Sequence, residues 1–91
     1  MAITRINHFE AKDSGDQLLA FMQDVVKKVK VLPGCQSVRL LRSTENPARL
    51  AIVEEWDSIK AHQKAATAIP PEQLKRAMDL VAKPPVGEYY Q

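Results

Sequence analysis

The sequence predicts an α+β fold: a ferredoxin-like β-α-β-β-α-β chain whose antiparallel four-stranded sheet carries helices on one face. Three observations lead there. Apolar residues at Leu18, Met22, Val25, Val26 and Val29 mark an amphipathic helix between two strand-like runs. The short polar loop at residues 44–48 joins two further runs as an antiparallel hairpin. A second helical region, broken by prolines, then leads to a last short strand-like run.

Residues 2–10 read as the first strand. Ile3, Ile6 and Phe9 are apolar, Thr4 is β-branched, and no breaker interrupts them. Ser14, with Gln17 three residues later, reads as a capping box that opens the first helix, and Pro33-Gly34 stops that helix near Leu32. Residues 35–43 and 49–56 form the second and third strands. Asp57 or Ser58 caps a short helix over residues 59–67, and Pro70-Pro71 breaks it. Pro71 suits the first turn of another helix, on which Leu74, Met78 and Val81 share a face. Lys83-Pro84-Pro85 ends that helix, and Val86 to Tyr90 make the fourth strand. The helices cover one face of such a sheet and leave the other bare, which favours a homodimer that buries it.

Composition points the same way. The 91 residues make a single domain, 1–91, with 45 % hydrophobic residues and one cysteine, so no disulfide forms within the chain. Small domains without such staples often gain stability by self-association. The net charge is +2, with acids and bases interspersed. Lys27, Lys28 and Lys30 read as a solvated helix face, and the five aromatics are not interleaved with basic residues, so no nucleic-acid partner is expected. The opening MAITRINHFE lacks the apolar core of a signal peptide, and no apolar run approaches the roughly 20 residues that span a bilayer. A cytoplasmic protein without a membrane partner is expected. No cofactor is expected either. Gly15, Gly34 and Gly87 cannot form a glycine-rich phosphate loop, and His8, Cys35 and His62 lack metal-ligand spacing.

Three short pieces carry a resemblance: Pro33-Gly34-Cys35 entering the second strand, Val53-Glu54-Glu55-Trp56-Asp57-Ser58 ending the third, and Ala61-His62 on the helix that follows. Together with the element order they resemble the antibiotic biosynthesis monooxygenase family. The resemblance implies a dimeric α/β barrel, closed by the sheets of two copies. It also implies either cofactor-free oxidation of quinols or polycyclic phenols by dioxygen, or haem binding and degradation. Family members often carry a second histidine three residues after the Ala-His pair; here Ala65 stands there. Asn7 matches a first-strand asparagine of the haem-degrading branch, but no histidine follows His62 to serve as an axial ligand. Haem is therefore not expected. The leading expectation is a cofactor-independent monooxygenase acting on a small phenol or quinol. The alternative is a non-enzymatic dimeric barrel that binds a small apolar ligand or acts in a stress response, and Ala65 favours it.

Cofactor-free oxygenation needs an electron-rich ring, an acceptor for its phenolic proton and groups that stabilise the anion. Asn7 and His8 are adjacent on the first strand and point to opposite faces, so one of them is a candidate. Trp56 shares a face with Leu50, Ile52 and Glu54; it either stacks on the substrate or packs in the core with its indole bonded. Glu54 and Glu55 alternate faces, and Arg39 or Arg42 on the neighbouring strand is the expected partner of one of them. His62 either acts as a base or is a partly exposed helix residue. Cys35 reads as a small buried hydrophobe. One of Tyr89 and Tyr90 packs on the sheet or the partner, and the other faces water.

Overall fold

The computed structural model describes residues 2–91. The elements run β1 (Ile3–Glu10), α1 (Asp16–Val29), β2 (Cys35–Arg42), β3 (Arg49–Trp56), α2 (Ile59–Ala66), α3 (Pro71–Leu80) and β4 (Val86–Tyr90). The strands lie in the order β2-β3-β1-β4, and each neighbouring pair is antiparallel. This is the ferredoxin-like arrangement, with its second helical region in two pieces.

Alternation along the strands decides where the core sits. Leu50, Ile52, Glu54 and Trp56 of β3 are buried under the helices, opposite Phe9, Asn7, Arg5 and Ile3 of β1. Leu18 and Met22 of α1 close the core against Leu50 and Ile52, while Val29 packs with Ile3 and Trp56. The other sheet face presents Thr4, Ile6 and His8 beside Ala51, Val53 and Glu55. No helix among the described residues is long and apolar enough to cross a membrane.

Three local expectations need correction. The residue before α1 is Gly15 in the left-handed region, with no side-chain cap; Asp13 Oδ1 accepts the Gly15 amide instead. Ser14 is thereby set outside the helix, its hydroxyl reaching only Asp16 N at 3.5 Å, and no capping box forms. The helix also ends at Val29, because residues 30–34 already turn toward β2. Finally, Val81 lies beyond α3, where it is buried and pairs as a bridge with Ala11.

Candidate active site

The three sequence pieces that carried the resemblance meet at one end of the sheet. Gly34 has φ +88°, and a Cβ there would fall 2.7 Å from Ala61 Cβ. Its carbonyl accepts the Asp57 amide, and Ser58 caps α2 by accepting Ala61 N at 3.0 Å. The turn, the strand end and the helix start are thus locked together. The lock holds His62, on the first turns of α2, beside Trp56.

Next to them, between the sheet and the helices, is a cavity of about 200 Å³. Its walls are apolar: Phe21, Met22 and Val25 of α1, Ala65 of α2, and Leu74 and Met78 of α3. Its polar groups are Asn7, Glu54, His62 and Gln73. The volume lies below the roughly 300–1,000 Å³ typical of drug-sized ligand sites, so it suits a small ring system.

Glu54 organises the polar end. It is the buried charged residue of the described core, 6 % exposed. Its Oε1 accepts the Trp56 indole N–H at 2.7 Å and lies 3.7 Å from His62 Nε2. Burial pushes its carboxyl above the ordinary range, while the Trp56 hydrogen bond and the Arg5 charge pull the other way. Burial and the Arg5 charge both lower the His62 pKa. The other imidazole nitrogen, Nδ1, is 2.7 Å from the Tyr89 hydroxyl. Arg5 caps this cluster, its guanidinium carbon 4.6 Å from the Tyr89 ring centroid and its Nε donating to Asn7 Oδ1 at 3.0 Å. With Oδ1 engaged, the Asn7 amide has its NH₂ group left to donate.

The structure brings together Asn7, Trp56 and His62 of the predicted residues. It does not bring His8, which stands exposed on the opposite sheet face. Trp56 is only 1 % exposed, with its indole bonded, so it forms the wall and the brace of Glu54. His62 is a partly exposed helix residue, its side chain 17 % accessible, and its ring is turned to the cluster. Neither Arg39 nor Arg42 pairs with a glutamate of β3. Arg42 bonds Asp16 and the carbonyls of Ser14 and Pro47; Arg39 stands opposite Val53 on the bare face, where Glu55 accepts from Ser37. The charge near Glu54 is Arg5, its register partner on β1. Sequence reasoning missed Arg5 and Tyr89. Arg5 shares a face with Asn7 by simple alternation, the signal that could have found it, whereas Tyr89 joins them only through the pairing of β4 with β1.

A family model described as antibiotic biosynthesis monooxygenase matches residues 2–80. The chain belongs to that family. Solved structures similar to this antibiotic biosynthesis monooxygenase family member agree in fold. Rv0793 from Mycobacterium tuberculosis is 18 % identical, with a TM-score of 0.85 over 100 % of this chain and 94 % of that one. SnoaB, a cofactor-independent oxygenase from Streptomyces nogalater, is 15 % identical, with a TM-score of 0.85 over 99 % of this chain and 91 % of that one. A conserved protein from Methanosarcina mazei is 16 % identical, with a TM-score of 0.89 over 100 % and 92 %. No curated protein is matched. Among the described residues, no three His, Cys, Asp or Glu side chains gather as a metal site would require.

Proposed function

We propose that the protein is a cofactor-independent monooxygenase of a small phenol or hydroquinone. The observation that carries this reading is the buried Glu54 carboxylate at the polar end of an apolar, ring-sized cavity. Family membership and the likeness to SnoaB support it. The ring lies against the apolar walls with its hydroxyl toward Glu54. Oε1 is held by the indole, and Oε2 accepts the phenolic proton. The free NH₂ of Asn7 donates to the oxygen as it becomes anionic. His62 is hydrogen-bonded at Nδ1 and turns Nε2 toward Glu54 at 3.7 Å, so it braces the carboxylate and does not itself take the proton. The electron-rich anion then reduces dioxygen. One oxygen atom enters the ring and the other leaves as water with two substrate hydrogens. The ring gives up four electrons, so no outside reductant is needed.

The test is oxygen uptake with a panel of one- and two-ring hydroquinones, with chelator present, followed by mass analysis of the product under ¹⁸O₂. One labelled atom per product supports the reading. Binding to the cavity without uptake across the panel refutes it and favours a second reading, a non-enzymatic binder of a small apolar ligand. One observation favours that reading: Ala65, where relatives often place a second histidine, is part of the apolar wall.

The working unit is proposed to be a homodimer. The helix-free face carries Leu41, Val86 and Tyr90, exposed by 40, 64 and 44 % in the single chain, around a half-buried Val53. A second copy seated there would cover them.

A further inference from the structure

We infer that Tyr89 is a positioning residue: its hydroxyl donates to His62 Nδ1, fixes the imidazole as the Nε2–H tautomer, and through it steadies Glu54. What Glu54 then does rests on the oxygenase reading; the tautomer is a property of the ligand-free protein.

The geometry argues the direction of that hydrogen bond. A phenol 2.7 Å from an imidazole nitrogen can donate or accept. Arg5 sits over the Tyr89 ring at 4.6 Å, and a cation there draws electron density from the ring. The hydroxyl becomes a better donor and a poorer acceptor. At the far side of the imidazole, Nε2 faces a carboxylate oxygen at 3.7 Å, which favours a hydrogen on Nε2. Both ends select the same tautomer. The ring plane is held between two edge-on neighbours, Trp56 at 5.4 Å and Tyr89 at 5.3 Å. The titratable and charged groups facing the Glu54–His62 pair are Arg5 from β1, Cys35 from β2 and Tyr89 from β4. The helices over the cavity add apolar side chains and the neutral Gln73.

Oε1 of Glu54 is then faced by two N–H groups, from Trp56 and His62. Without the Tyr89 hydroxyl, Nδ1 loses its partner and the imidazole is free to turn or to change tautomer. A lone pair on Nε2 would then face the carboxylate, making Glu54 harder to ionise.

Nuclear magnetic resonance of the ¹⁵N-labelled full chain tests this directly. There are two histidines, at 8 and 62, and His8→Gln assigns them. Above the His62 titration, the expected signals are an unprotonated Nδ1 and a protonated Nε2. Trp56 is the single tryptophan, so its indole N–H resonance reports the titration of Glu54. In Tyr89→Phe, which keeps the ring under Arg5, the midpoint moves up by about 0.5–1 pH unit. A residue that only packs would leave the midpoint in place. An Nδ1–H tautomer in the wild type, or an unmoved midpoint in Tyr89→Phe, overturns the inference. If Tyr89→Phe does not fold, the wild-type tautomer decides alone. If both readouts come out as expected while no hydroquinone is consumed, the oxygenase reading falls and Tyr89 keeps its role.

Discussion

Glu54 is buried among Trp56, His62 and Ile52 of its own neighbourhood, and both its acidity and its orientation follow from that. A carboxyl more readily protonated in the fold than in the unfolded chain takes up protons on folding. Its contribution therefore falls as pH rises from the ordinary value of 4.5 through the higher folded one. His62 acts in the opposite sense. Its folded pKa is below 6.5, so stability is gained as pH rises through that window and lost on acidification. Glu54→Gln removes only the first slope. Its melting temperature relative to wild type should climb between about pH 4.5 and neutrality, measured by thermal denaturation across pH; a constant difference would contradict the raised carboxyl. The same variant should cut turnover of a confirmed hydroquinone about 10²–10⁴-fold, as loss of a general base does. Trp56→Phe strips the carboxylate of its indole donor and should cost about 2–4 kcal/mol in denaturant unfolding. Sequence alternation was enough to place Trp56 and Glu54 on one face. It could not rank Arg5 above Arg39 and Arg42 as the nearby charge, because that depends on which strand supplies the neighbour and on where each long side chain finds a partner.

At the scale of elements, the contrast is between the locked strand end and the loosely held helix above it. Gly34 closes the lock, since only a residue without a Cβ both takes φ +88° and lets Ala61 approach. Gly34→Ala should lower stability by about 1–3 kcal/mol, which is a melting-temperature loss of about 4–8 °C per kcal/mol for a domain of this size. The Pro-Gly turn was legible because its chemistry is local. The capping box was not, although Ser14 and Gln17 have the spacing. Asp13 competes for the same stretch of backbone and sets Gly15, not Ser14, as the residue that precedes the helix. α3 begins at Pro70-Pro71 without a side-chain cap and contains no buried residue, and its Leu74 and Met78 are about half exposed over the cavity. Amide hydrogen exchange should accordingly be faster in α3 than in β1 and β3, and a ligand in the cavity should slow it there. Equal protection of α3 and the central strands would mean the helix is not a loose cover.

For the whole molecule, the bare sheet face is the surface that the proposed homodimer would bury. Sedimentation at micromolar concentration should give twice the chain mass of 10.2 kDa. Val53 lies between Ile6 and Arg39 in the register, near the middle of that face. Val53→Lys should therefore return the mass to that of one chain while leaving the helix content unchanged. The strand order was readable from the sequence because each strand announces itself by pattern and each connection is short or helical. The cluster that joins β1, β3, α2 and β4 was only half readable. Tyr89 stands 27 residues beyond His62, on a strand too short to show a period of its own.

Gly87 lies on β4, exposed, opposite Asn7. The side chains of Asn7 and Arg5 pass over it so closely that a Cβ would collide with both. Any substitution there must push the amide and the guanidinium aside, and so reshape the polar end of the cavity from outside it. The atoms displaced are the ends of two flexible side chains, so such a substitution would alter the cavity at little expense to the fold. Screening by burial would pass over it, and screening by function would find it. The outer strand thus holds a position from which a single methyl group would reach two side chains of the polar cluster.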